Sequence, residues 1–308
     1  MTISLRVRRS MVGIVAVAAF STAIPDAQTG PNLSGFWTLA TETIAKADGA
    51  AEYPAFFRLG SHLRIQQDAT TFTMAAWTMP IDGDVVTDPM GVRWRAKRQA
   101  DGISVTGTRG DAAAGTNSAH AMSFRLMADG RLSVEIVAEP VLAVKSVKSV
   151  YAKSPKDIVP SRKPDFAGRW IVDGALSQLN GSTAWFTNDI VVSMDAKGLT
   201  IAGSGPVSGT SFFPTDGSGF RTPDISGPRG ISLTHVEWQG TQLIATTLSY
   251  LTATDRLTKR EVLTANEGRV TIALATDGTF VVEVSVIPAR ERIGFATRSV
   301  YRRVKSDN

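Results

Sequence analysis

PNLSGFW (residues 31–37) returns 133 residues later as PDFAGRW (164–170), with proline, an apolar third position, glycine and tryptophan in register. Three further anchors recur in the same order. DATTFTMA (68–75) matches DAKGLTIA (195–202), DGRLSVEI (129–136) matches DGTFVVEV (277–284), and KSVYAK (148–153) matches RSVYRR (298–303). Four colinear anchors with modest insertions between them are the mark of a tandem repeat. They divide the chain into unit one (31–153) and unit two (164–304). SPKDIVPSRK (154–163), with two prolines and four charges, reads as the linker.

Both units have the period of strands. Apolar and polar residues alternate in LRIQQ (63–67), FTMAAW (72–77), ISVTGT (103–108) and LSVEIV (132–137), and again in IVVSM (190–194), LTIAG (199–203), ISLTHVEW (231–238) and FVVEVSV (280–286). Turn pairs separate them: Asp101-Gly102, Asp129-Gly130, Lys197-Gly198, Gln239-Gly240 and Asp277-Gly278. The best helical stretch, ATETIAKADGAAEY (40–53), is weakened by Gly49. The expectation is an all-β chain of two tandem antiparallel up-and-down β-barrels or strongly curved sandwiches, with eight strands in unit one and nine or ten in unit two.

Residues 1–27 read as a signal peptide. Arg6, Arg8 and Arg9 form a basic start, Met11–Phe20 is an apolar run of ten, and small residues with Pro25 follow. Cleavage after Ala23 and after Ala27 both fit. The Arg8-Arg9 pair faintly resembles a twin-arginine signal, but the short basic region favours export of the unfolded chain. Ten apolar residues are too few for a membrane-spanning helix, which needs about 20, so no stable membrane insertion is expected. The sequence carries 33 basic and 28 acidic residues; without the three leader arginines the count is 30 against 28. A nearly balanced mature chain does not point to nucleic acid. There is no cysteine. That excludes disulfides, a lipid-modified N-terminal cysteine and cysteine-based metal sites, and makes a bacterial periplasmic or extracellular protein the expectation.

The Gly-x-Trp of the two opening anchors, with a basic residue on a last strand, resembles the calycin barrels: lipocalins, fatty-acid-binding proteins and avidins. It also resembles the lipocalin-like domains of exported bacterial proteins. The resemblance implies that each tryptophan closes one end of a barrel beneath a basic side chain, Trp37 under Lys148 and Trp170 under Arg298. Gly35 and Gly168 share a face with their tryptophans and leave room for the ring.

Chemistry is less legible. His62, His120 and His235 lie on separate strand segments, and none belongs to a metal-spaced pair, so no metal site is expected. No Walker loop, HExxH or GxSxG occurs, and no cofactor is expected. Asp82, Asp84 and Asp88 lack the calcium-loop pattern and read as turn residues. Glu135 and Glu283 hold equivalent places, either on a solvated outer face or inside a barrel. Aromatic residues gather in connections: Tyr53, Phe56 and Phe57 in unit one, and Trp185, Phe186, Phe212, Phe213 and Phe220 beside Arg221 in unit two. Phe212, Phe213, Phe220 and Arg221 form the candidate ligand site, suited to a small, partly apolar ligand with an acidic or polar end. A non-catalytic binder is the leading reading. A structural or protein-interaction module with filled barrels is the alternative, and a lipocalin-like enzyme acting on a lipid-like substrate is the second.

Overall fold

The computed structural model describes residues 30–46, 48, 57–110, 118–138, 144–154, 162–179, 186–203, 209–215, 224–225, 230–254, 261–287 and 296–304. Residues 1–27, read above as a signal peptide, and most of 154–163, read as the linker, lie outside them. Among the described residues each unit forms ten antiparallel strands and no helix. In unit one these are β1 (Gly35–Lys46), β2 (His62–Gln67), β3 (Thr71–Met74), β4 (Trp77–Pro80), β5 (Val86–Thr87), β6 (Arg93–Gln99), β7 (Gly102–Arg109), β8 (Ser118–Leu126), β9 (Leu132–Ala138) and β10 (Val144–Lys153). Unit two repeats them as β11 (Gly168–Val172), β12 (Asp189–Met194), β13 (Gly198–Gly203), β14 (Thr210–Pro214), β15 (Asp224–Ile225), β16 (Ile231–Gln239), β17 (Gln242–Thr254), β18 (Glu261–Leu274), β19 (Phe280–Ile287) and β20 (Ala296–Arg303).

The sheet order is the same in both: β4-β3-β2-β1-β10-β9-β8-β7-β6-β5 and β14-β13-β12-β11-β20-β19-β18-β17-β16-β15. Each is an up-and-down meander in which the first strand pairs with the last, giving a nearly closed barrel with its gap between the fourth and fifth strands. In unit one a parallel bridge between Ile81 and Ala96 narrows that gap. Every sequence anchor falls on the equivalent element. Asp68 and Asp195 open the turns before β3 and β13, and Asp129 and Asp277 those before β9 and β19. Each accepts backbone N–H bonds two or three residues on, as Asx turns do.

Alternation fills the interiors. Leu132, Val134 and Ile136 on β9 are buried in one core, and Phe280, Val282 and Val284 on β19 in the other. Glu135 and Glu283 point outward, opposite Lys148 and Arg298 in the register. The candidate helix at 40–53 is instead β1 through Lys46, because pairing with β10 satisfies its backbone.

The two units are not packed as independent globules. The core of unit one includes Ile231, Leu233, Leu248, Tyr250, Leu263 and Ala265, all from unit two. β17 and β18, with 13 and 14 residues, are the longest strands described. Positions on their outward face carry this apolar surface onto the mouth of the first barrel. Phe57 enters the same mouth from the segment before β2, with ring centroids 5.9 Å from Trp77, 5.4 Å from His120 and 5.5 Å from Tyr250.

Candidate functional site

The tryptophans of the two opening anchors behave alike. Trp37 and Trp170 are buried, and each indole N–H donates to the carbonyl four residues earlier, Leu33 at 3.1 Å and Phe166 at 3.0 Å. The cations over them are Lys153, 5.8 Å from the Trp37 ring, and Arg303, 4.7 Å from that of Trp170. This corrects the expectation of Lys148 and Arg298. Register decides it: Trp37 pairs with Lys153 and Trp170 with Arg303, whereas Lys148 lies opposite Thr43. Arg298 is half-exposed and ion-paired with Glu283 at 3.4 Å. Gly168 has φ +142, a conformation side chains disfavour, and a Cβ there would stand 3.6 Å from the indole nitrogen.

The candidate ligand cluster is not assembled by the described residues. Phe212 and Phe213 are consecutive on β14 and point to opposite faces. Phe213 is buried against Phe186, whereas Phe212 is exposed and lies outside against Gly198. Phe220, Arg221, Trp185, Tyr53 and Phe56 lie outside the described residues. Asp88 is turn chemistry of an elaborate kind. One carboxylate oxygen accepts the indole N–H of Trp77 at 2.8 Å and of Trp94 at 2.9 Å, and the other accepts the amides of Met90 and Val92.

What sequence reasoning missed is the seam between the barrels. A register shift in β1 after Leu39 turns Glu42 onto the inward face, beside Ser149. Arg58, itself buried, lies 3.3 Å from Glu42 and 3.6 Å from Glu267 of β18. Glu267 also accepts the Ser61 amide at 3.2 Å and the Ser61 hydroxyl. Next to this group His62 of β2 meets β16. The His62 and His235 rings stack with centroids 4.2 Å apart. The Glu237 carboxylate lies 3.7 Å from Nε2 of His62 and 3.3 Å from Nε2 of His235. Gln239 donates to the same carboxylate at 2.8 Å. Burial, reinforced by His235 and only partly offset by Glu237, lowers the His62 pKa to about 4. The hydrogen bond from His235 lowers that of Glu237 to about 2. The imidazole is neutral and the carboxylate ionised across the ordinary pH range.

One sequence signal pointed here. The face of β16 that carries His235 and Glu237 also carries Ile231 and Leu233, while Val236 and Trp238 fill the opposite face. Apolar residues on both faces mark a strand covered on both sides.

On the outer face of β17–β20, beyond the seam, lies a groove of about 490 Å³ whose lining includes Gln178, Gln242, Arg269, Thr271, Glu283 and Arg298. Its register rows run directly from the seam: His235, Thr246, Arg269, Ser285 in one, and Glu237, Ile244, Thr271, Glu283, Arg298 in the next. Arg269 is exposed and has no ion-pair partner among the described residues.

No protein-family model and no curated protein matches the chain. A crystal structure of a "putative outer membrane protein" from Bacteroides fragilis is similar at 8% identity and a TM-score of 0.19, over 90% of this chain and 99% of that one. Likeness at that level carries no argument about fold, location or activity.

Proposed function

We propose that the mature chain is an exported, non-catalytic binding protein of calycin-like barrels. Its ligand seat is the outer groove of unit two, and its ligand is a small polar molecule with an acidic group. The observation that carries this reading is the groove itself. Its volume lies in the range of small-molecule sites, about 300–1,000 Å³. Gln178 and Gln242 offer amides, and Arg269 offers a guanidinium suited to a carboxylate or phosphate. Export rests on the leader-like residues 6–27, and calycin kinship on the Gly-x-Trp anchors.

Packed barrel interiors favour a second reading, a protein-interaction module, over a ligand held inside a barrel. Native mass spectrometry of the protein purified from its own host separates the two. A retained small-molecule adduct that is lost in Arg269→Glu supports the groove. No adduct, or one indifferent to Arg269→Glu, counts against it.

A further inference from the structure

Three ligand-capable side chains converge at the seam from different parts of the chain. His62 stands at the start of β2, and His235 and Glu237 lie two apart on one face of β16. Their donor atoms all lie within 4.8 Å of one another. We propose that His62, His235 and Glu237 bind a divalent transition-metal ion, Zn²⁺ by the character of the donors, which ties the two barrels together.

Distances fit first. Metal bonds of about 2.0–2.2 Å at tetrahedral angles put neighbouring donor atoms about 3.3–3.5 Å apart. The observed nitrogen-to-oxygen separations are 3.3 Å from His235 to one Glu237 oxygen and 3.7 Å from His62 to the other, so a shift of about 1 Å and a turn of the stacked rings close the cradle. Two imidazoles and a carboxylate are an established donor set for zinc and its neighbours, and leave a position for water or a ligand atom. Glu237 is held by Gln239, the kind of supporting bond that orients a ligating carboxylate.

Charge fits second. The charged groups that act on His62 are Glu237 and Arg269, while Arg58 nearby is held between Glu42 and Glu267. Arg269 opposes a cation, but it is exposed and screened by water.

The full-length mature chain, stripped with a chelator, is titrated with Zn²⁺ and with Co²⁺. The expected result is one saturable site per chain, a visible Co²⁺ band of low-symmetry nitrogen–oxygen coordination, and a rise in Tm with metal concentration. In imidazole NMR spectra of the wild type, the His62 and His235 resonances shift in step with occupancy, while those of His120 stay in place. His62→Gln and Glu237→Gln should each weaken binding by more than the roughly 10–100-fold that loss of a supporting group costs. His120→Leu should not change affinity. The proposal is overturned if the wild type shows no saturable uptake, if all three histidines or none respond, or if a folded His62→Gln/Glu237→Gln double variant binds as the wild type does. The NMR arm needs no variant, so a substitution that unfolds the chain leaves the test intact.

Discussion

Glu267 of the second barrel accepts hydrogen bonds from both the amide and the hydroxyl of Ser61 at the edge of the first, and the same carboxylate lies 3.6 Å from buried Arg58. A repeat that duplicates a self-contained barrel has no need of such a bond. It exists because the outward face of β16–β18 closes the mouth of unit one. Glu267→Ala leaves Arg58 with Glu42 alone in a buried interface. Removing one member of a buried ion group costs about 3–5 kcal/mol. Urea unfolding of the full chain should show a loss of that size, and Glu267→Gln, which keeps an acceptor for Ser61, a smaller one.

The same packing makes the two fragments unequal. Residues 28–158 alone expose the apolar mouth that Leu233, Leu248 and Tyr250 cover in the whole chain. Residues 159–308 keep their own core around Trp170 and Phe280. Circular dichroism of the separate fragments should show a cooperative transition in the second at higher temperature than in the first. Mixing them should raise the transition of the first. Equal and independent melting would disprove the shared core.

Of the residues in the opening anchors and last strands, the pair to test is Trp170 and Arg303. Trp170→Ala should cost about 3–5 kcal/mol, the range for removing a buried large aromatic. Arg303→Ala should cost about 1 kcal/mol or less, since the guanidinium is partly in water. A double-mutant cycle should find coupling between Trp170 and Arg303, and none between Trp170 and Arg298. Coupling to Arg298 instead would contradict the register.

Asp88 serves two indoles and two amides at once. Asp88→Ala strands the Trp77 and Trp94 N–H groups in the core of unit one. Hydrogen bonds to a charged acceptor contribute about 1.5–3 kcal/mol each, and they do not add fully within one network. A loss of about 3 kcal/mol or more in the unit-one transition is expected, with a change in tryptophan fluorescence. A silent substitution would show that the indoles find other acceptors.

His120 is fully enclosed beside Phe57, and burial lowers its pKa to about 4. In the unfolded chain it titrates near 6.5, so between pH 6.5 and 4 the unfolded state holds the extra proton. Its contribution is therefore complete above about pH 6.5 and lost as pH falls towards 4, amounting to about 3 kcal/mol. His62 titrates in the same direction over the same range. His120→Leu should flatten part of the acid slope of stability, measured by urea midpoints from pH 7 to 4. An unchanged slope would mean that His120 is not enclosed.

Local and periodic features were legible in the chain alone. The alternation in LSVEIV and FVVEVSV sets which residues face inward, because successive side chains of a strand point to opposite faces. Asp-Gly and Asx turns set where strands reverse, and four anchors in one order set two barrels of one topology. Features that depend on register and on contact between distant strands came only with folding. Lys153 rather than Lys148 reaches Trp37 because pairing with β10 fixes which cation stands opposite the ring. Phe212 and Phe213, neighbours in sequence, part to opposite faces of β14. His62 and His235 are 173 positions apart, and no spacing rule joins residues so distant. They meet because the apolar outward face of β16–β18 must be buried. Burying it against the mouth of the first barrel carries His235 and Glu237 to His62.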